Sequence, residues 1–573
     1  MSEPAWIIDT PPSTSMPVYT RLNANDVMPD PVTPLGASLV WIPHVFPGWG
    51  LSYVTLDSFT PAEMFSEPVT PTGGFFYGYL YVNQTSVRLI GIRAGIGAEA
   101  IDAAFFATNS PPHESKPTDV NEACAAAMAA RSQWTLTTTT FPELEEEREL
   151  AERIRTQRPD FKSASNQVLV AWARAVAPLQ RVLWRSYSIA SGQASIGPGV
   201  ITSLIGATDP SLMVKLVGSA GDVDSALPSF ALWDLSRVVR ADAALGATFD
   251  QGADGLLERL HEQHADFAQR FDMFLHEFGY RGPSEWDIGQ HSWETKPELP
   301  LALVDRLRQL EDSASPGLKR EERSAESVAA LQKALETLGD NAEAVQTLHL
   351  AIASARRFAA WRERGKTSAV MALHEVRAAL FELGRRLTAA GDLDHPEQVF
   401  MALDSELDLL SSHAGAVRDT LRQREQDWRD LFNVEPPMWV VGTEEMKPLS
   451  ALKRKGGGDV EVVKPGDVLV GAPASAGVAR GRARVVRDTS QIAAFEPGEI
   501  LLAPQTDPSW TPLFMVAAGV VVDVGAMGSH AMIVSRELGI PCAAGVDGAT
   551  ARIPDGTLLE VDGSSGKVTV LGL

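Results

Sequence analysis

The rhythm of apolar positions changes twice along the chain. Over roughly the first hundred residues, short apolar and aromatic runs are separated by Pro, Thr and Gly: GASLVWIPHVF (36–46), GGFFYGYLYVN (73–83) and SVRLIGIR (86–93). That texture predicts mixed strand and loop. The aromatic run FFYGYLYV (75–82) reads as core or a strand pair, or as a wall for an aromatic ligand. From Pro142 to about Leu431 the apolar residues recur at three and four, as in LEEERELAERIRTQ (144–157), DGLLERLHEQHADFAQRFDMFLHEF (254–278) and SAVMALHEVRAALFELGRRLTAAG (368–391). This predicts a body of long amphipathic helices. A Pro/Gly/Lys-rich segment (434–468) follows, whose KRKGGG (453–458) reads as a mobile hinge or as an ordinary linker.

Beyond that segment, VDVGAMGSHAMIVSRELGIPC (522–542) sets a histidine on a tight turn. Gly519 to Val524 reads as a buried strand, Gly525 and Gly528 supply the turn, and Ser529 is a good N-cap. The helix then runs to about Leu538, stopped by Gly539 and Pro541. His530 falls in the first helical turn. There unpaired backbone N–H groups and the positive end of the helix dipole favour a phosphoryl group on the imidazole. The same field disfavours imidazolium and keeps the ring nucleophilic. A capping or core histidine is the bland alternative.

Glycine turn, Ser-His, small and aliphatic residues, then SRELGIP resembles the swivelling phosphohistidine domain of the PEP-utilising enzymes, such as PEP synthase, pyruvate phosphate dikinase and rifampin phosphotransferase. The likeness runs from about Gly466 through GVARGRARVV (477–486), EPGEILLAPQTDPSWTPLF (496–514) and IPDGTLLEVDGSSGKVTVL (553–572). It departs at Ala526, where a second glycine is usual, and at Gly528, where threonine or leucine is common. The resemblance implies a multidomain protein: a mostly helical substrate-binding domain (1–433, helical from about 142) with a mixed α/β start, a flexible linker (434–465), and a β/β/α swivelling domain (466–573). It also implies a phosphohistidine intermediate on His530, with Ser529 and Arg536 beside it. Arg536 could equally form a surface pair or pack.

Four weaker patches resemble the substrate-binding region of the rifampin-type phosphotransferases: YTRLNANDVMPDPVTPL (19–35), FLHEFGYRGPSEWDIGQHSWETKP (274–297), WRERGKTSAVMALHEVRAALFELGRRL (361–387) and GDLDHPEQVFMALDSEL (391–407). In the second patch Tyr280 replaces the usual histidine, while Arg281, Glu285 and Asp287 stand in place. A hydroxyl that attacks a phosphohistidine needs cations to spread the charge of the transferring group and a base for its proton. Arg281, Arg362, Lys366 and Arg377 are the candidate cations; Glu285, Asp287 and His291 are the candidate bases or orienters. Arg362, Glu363 and Lys366 at helical spacing also read as a salt-bridged helix face.

Single-chain relatives place an ATP-grasp domain ahead of the substrate region. This sequence opens on the substrate region and so resembles the large subunit of phenylphosphate synthase. That likeness implies ATP and Mg2+ used by a separate ATP-grasp subunit and a small, phenolic hydroxyl acceptor. PEP–pyruvate phosphotransfer and a non-catalytic phosphocarrier or regulatory binding protein are the alternatives. Composition limits the rest. Over 573 residues the apolar fraction is 45% and the charged fraction 21%, the balance of a folded domain set, and the net charge of -23 disfavours nucleic acid and anionic membranes. Two cysteines, Cys124 and Cys542, build no disulfide framework, and no signal or spanning segment is evident, so a cytoplasmic protein is expected. His261 and His264 (HEQH) lack a third ligand, and GIRAGIGAEA (91–100) lacks the surroundings of a dinucleotide loop.

Overall fold

The computed structural model describes residues 6–25, 27–106, 110–206, 210–217, 224, 226–442, 444, 446–454, 462–487, 495–506, 510–525 and 530–572. The chain divides into two compact units. The first comprises Met1–Ile196, Glu285–Gln290 and Arg357–Gly457; the second comprises Gly197–Ser284, His291–Arg356 and Gly458–Leu573.

In the first unit an antiparallel sheet is ordered β2-β3-β1-β4, from β1 (Val18–Thr20), β2 (Gly73–Phe76), β3 (Tyr79–Asn83) and β4 (Trp439–Val441). The aromatic run is the β2–β3 hairpin, turned by Tyr77 and Gly78 at φ 58° and 78°. Left-handed backbone at both positions matches the twist of a two-residue hairpin. Strand β4 shows that the start of the Pro/Gly/Lys-rich segment is built into this sheet. The Gly-rich part of KRKGGG lies outside the described residues.

Two apolar runs read as strand-like are helical. GASLVWIPHVF forms a π-helix over Gly36–Val45 and leads into a helix at Phe46, while SVRLIGIR lies in the helix Gln84–Arg93. An apolar run buried on several sides has no period by which to separate strand from helix. The deciding features are local. Pro43 offers no N–H to a regular helical ladder, and Asn83 caps the second helix by accepting from Ser86 N at 2.8 Å. The body that follows includes α1 (Pro142–Thr156), α2 (Gln180–Gln193) and the long helix Ala342–Ala389, which contributes to this unit from Arg357 onward.

The second unit holds α3 (Leu227–Ala241), α4 (Ala265–Phe278) and α5 (Glu298–Leu307). The stretch 254–278, read as one helix, breaks at His264 (φ -138°, ψ 57°), whose Nε2 meets Thr248 Oγ1 at 2.8 Å. The C-terminal part is an eight-stranded sheet ordered β5-β12-β11-β7-β8-β9-β10-β6. Its strands are β5 (Val468–Val470), β6 (Ala472–Ser475), β7 (Val478–Val485), β8 (Ile500–Ala503), β9 (Gly519–Val522), β10 (Cys542–Ala544), β11 (Leu558–Asp562) and β12 (Lys567–Gly572). Strands β7 to β10 run parallel. Strands β8, β9 and β10 are buried throughout, as continuous apolar runs in a parallel sheet should be. Alternate residues feed two cores. Leu501, Ala503, Val520, Val522 and Cys542 face one, which contains α6 (Thr511–Val516) and α7 (His530–Leu538), while Ile500, Leu502, Val521 and Ala543 face the other with α8 (Ala549–Arg552). Among the described residues no helix is long and apolar enough to cross a membrane.

The hairpin turn yields a direct test. Gly78→Ala puts a Cβ in a left-handed position and 2.6 Å from Leu431 Cδ1. The expected loss is about 1–2 kcal/mol of stability, read as a lowered denaturation midpoint with an unchanged slope.

Candidate active site

The segment Glu285–Gln290 is flanked on both sides by residues of the second unit yet belongs to the first. Its flanks are joined at the base by Trp293 N donating to Arg281 O at 2.7 Å and Glu294 N donating to Gly279 O at 2.9 Å. Within the first unit Asp287 is the anchor. Its carboxylate accepts from Thr33 N at 2.8 Å, Thr33 Oγ1 at 2.6 Å and Gly289 N at 3.0 Å. Burial raises its pKa against the pull of those donors. Gly36 opens the π-helix here because a Cβ would stand 2.8 Å from Asp287 Oδ1. Arg377, fully buried on the long helix, donates from Nη2 to the carbonyls of Glu285 at 2.7 Å and Asp287 at 3.0 Å. Among the described residues its Nε and Nη1 hydrogens meet no hydrogen-bond partner, and burial pulls its pKa down to about 10.

With its backbone held in this way, the segment presents Glu285 to Lys366. Carboxylate and ammonium lie 3.0 Å apart, with the side chains 1% and 12% exposed. Between the two acids, Trp286 enters an aromatic cluster: its ring centroid is 4.8 Å from Trp184 and 5.8 Å from Tyr187, and Trp184 is 5.2 Å from Trp41. Trp41 Nε1 donates to Trp286 O at 3.1 Å, and Lys366 Nζ lies 5.7 Å from the Trp286 ring centre. One turn before Lys366, Arg362 pairs with Glu363 at 3.0 Å. Arg362 and Lys366 share a helix face by spacing.

The structure thus brings Glu285, Asp287, Lys366 and Arg377 together, with Asp287 and Arg377 occupied in holding the backbone. Arg362 lies one turn away. Arg281 and His291 belong to the second unit; Arg281 is buried with its guanidinium 5.6 Å from the Tyr280 ring centre, and His291 Nδ1 meets Thr295 Oγ1 at 3.2 Å. His261 faces Asp272 at 3.5 Å, and among the described residues no group of three or more His, Cys, Asp or Glu is placed to hold a metal.

In the C-terminal sheet domain, α7 begins at His530, beyond the buried strand β9. Ser529 and the turn 526–529 lie outside the described residues, as does the side chain of His530. Ala531, Met532, Val534 and Leu538 seat α7 on the sheet core. Arg536 is tied through Nε to the carbonyl of Ala474 on β6, and burial lowers its pKa. Cys542 on β10 is buried, its thiol pushed up to about 12 by desolvation, and is unreactive at neutral pH.

Sequence reasoning did not pick out Trp41, Trp184, Tyr187 or Trp286. Trp184 and Tyr187 stand three apart on α2, a spacing that puts both rings on one face. Glu147 was missed as well. It sits in the apolar stripe Leu144–Glu147–Ala151 of α1, all three buried, and accepts from Ser186 Oγ at 2.6 Å. A carboxylate in an apolar stripe was the available signal.

Two regions of the chain match known family models. Residues 187–363 match the rifampicin phosphotransferase fourth domain, and residues 495–566 match the PEP-utilising enzyme mobile domain. The C-terminal sheet domain is thus similar, over residues 495–566, to the mobile domain of the PEP-utilising enzymes. Among curated proteins, the chain is 30% identical to a rifampicin phosphotransferase of Streptomyces sviceus over 367 residues, covering 62% of this chain and 40% of that one. It is 31% identical to the prodigiosin synthesizing transferase of Serratia marcescens over 374 residues, 63% of this chain and 40% of the relative. An uncharacterized protein of Mycobacterium tuberculosis is 33% identical over 317 residues, 55% of this chain and 33% of its own length. The chain therefore spans 33–40% of the length of these relatives.

Glu147 provides a pH test. Burial raises its pKa to about 7, opposed by the Ser186 hydrogen bond. The folded state therefore keeps a proton that the unfolded chain releases near pH 4.3, and stability falls as pH rises from there to about 7, then levels. Glu147→Gln removes that loss. Its stability relative to the parent should climb by about 1–3 kcal/mol across this window, measured by denaturant unfolding at several pH values; a pH-independent difference would contradict the assignment.

Proposed function

We propose that the chain is a phosphotransferase component that carries a phosphoryl group on His530 and passes it to the hydroxyl of a small, phenolic compound bound by the helical body. The observation that carries this reading is the mobile-domain match enclosing a helix that begins at His530. A neutral ring nitrogen takes the phosphoryl group as the donor's P–O bond breaks, and the N-terminal amides of α7 offset the charge gained. In the second half-reaction the acceptor oxygen bonds to phosphorus as the P–N bond breaks. Lys366 and Arg362 spread the charge of the transferring group, and Glu285 takes the hydroxyl proton. ATP with Mg2+, on a separate ATP-grasp polypeptide, supplies the phosphoryl group, and the metal belongs to that partner in this reading.

The acceptor class is supported by the aromatic cluster around Trp286 and by the Glu285–Lys366 pair at its edge. Aromatic faces favour a planar ring, and the ion pair places a cation and a base at one spot. The relatives named for rifampicin phosphotransfer add weight to phosphoryl transfer without fixing the acceptor.

The two half-reactions separate the roles. His530→Ala is expected to abolish both loading and transfer with the fold unchanged by circular dichroism. Lys366→Met should load at the parental rate yet discharge to a phenol about a hundredfold more slowly. Parental discharge by Lys366→Met would remove the helical-body site from the proposal, and phosphotransfer by His530→Ala would remove the carrier.

A further inference from the structure

One face of the C-terminal sheet is covered over half its width. On β8, β9 and β10 that face enters the core shared with α6 and α7. On the other four strands, β5, β12, β11 and β7, only the reverse face is buried, through Leu469, Val568, Val570, Leu559, Val561 and Ala483. Their remaining face is open to water, yet it is not polar throughout. Val468 and Val470 on β5, Leu571 on β12, Leu558 on β11 and Val478 on β7 are 51, 64, 40, 39 and 62% exposed. An antiparallel sheet in water carries polar side chains on its outer face. Large apolar residues on four neighbouring strands therefore mark an interaction surface.

The strand register arranges this face in rows. One row reads Val470, Lys567, Asp562, Val478 and the next Val468, Thr569, Glu560, Arg480. Beyond them Leu571 meets Leu558 at the register shift between β11 and β12. We propose that this face pairs with the same face of a second copy of the chain, about a two-fold axis that runs along the strands between β12 and β11. Such a rotation reverses each row. Val470 then lies over Val478 of the second copy, Lys567 over Asp562, Thr569 over Glu560 and Leu571 over Leu558, and each contact is made twice. Val468 meets the apolar stem of Arg480, whose guanidinium is already held by Glu560 at 2.6 Å. A row that is apolar at both ends and carries opposite charges in the middle is its own complement under this rotation. The net charge of -23 makes most of the surface repel a second copy, but here Lys567, Arg480 and Arg482 stand against Asp562 and Glu560. Aligned sheets pack face to face about 10 Å apart in this way. Four strands about 4.8 Å apart, over three rows, make a face of roughly 20 by 20 Å. That is the low end for a specific interface, so the dimer is weak and concentration-dependent. The pairing does not depend on the carrier reading of His530.

Sedimentation equilibrium of the full chain, at concentrations up to about 100 μM, should show monomer and dimer in exchange. Val470→Asp and Val478→Asp are each expected to raise the dissociation constant by about tenfold or more. Circular dichroism should stay unchanged in both, because both side chains are exposed. Cross-linking reads the geometry. Both native cysteines, Cys124 and Cys542, are buried, so a short bis-maleimide should bridge Val470→Cys chains to Val478→Cys chains in a mixture and should bridge neither variant to itself. A bridge formed by Val470→Cys alone would show edge-to-edge pairing of β5 and overturn the two-fold face. A monomer at every concentration, or a dimer indifferent to both aspartate variants, would overturn it as well and leave the face to a different polypeptide.

Discussion

Asp287 cannot turn to water, and the first unit is organised around that fact. Its three donors come from the turn at Thr33 and from Gly289. A buried carboxylate deprived of such partners costs several kcal/mol, so the turn before the π-helix and the Glu285–Gln290 segment are held as one piece. Arg377 completes the hold from the long helix by capping two carbonyls of the same segment. The consequence lies in the two residues just before Asp287: Trp286 packs against Trp184 and Tyr187, and Glu285 is aimed at Lys366. Charged groups that looked chemical in the sequence divide into those that hold the segment's backbone, Asp287 and Arg377, and those that pair beside it, Glu285 and Lys366.

The C-terminal sheet domain meets a different requirement. On the proposed carrier reading, His530 must be held firmly enough to be nucleophilic. Rigidity comes from the parallel strands β8, β9 and β10, buried on both faces, with α7 seated on one of them by Ala531, Met532 and Val534. Fixing Arg536 to the Ala474 carbonyl adds to that rigidity, since it ties α7 to an edge strand.

Long-period patterns were legible in the sequence and local irregularities were not. The helical body and the buried strand before His530 follow from spacing alone. The π-helix does not, because it depends on Pro43 inside an apolar run and on the close approach of Gly36 to Asp287, a residue some 250 positions away in the chain. The break at His264 likewise depends on a tertiary bond to Thr248. For the site, Glu285 and Lys366, both named from the sequence, are found paired, but Asp287 and Arg377 could not be recognised as supports without knowing which carbonyls and hydroxyls they meet. The aromatic cluster gathers Trp41, Trp184, Tyr187 and Trp286 from three separate segments, and no single window of sequence contains it.

The most direct test of the carrier account is intact mass followed by mapping of acid-labile phosphate, after the chain is incubated with ATP and Mg2+ in the presence and absence of an ATP-grasp partner. The account predicts one added phosphoryl group, on His530, only when the partner is present, and its loss on adding a phenol. A label on any other residue, or none with a competent partner, would contradict it.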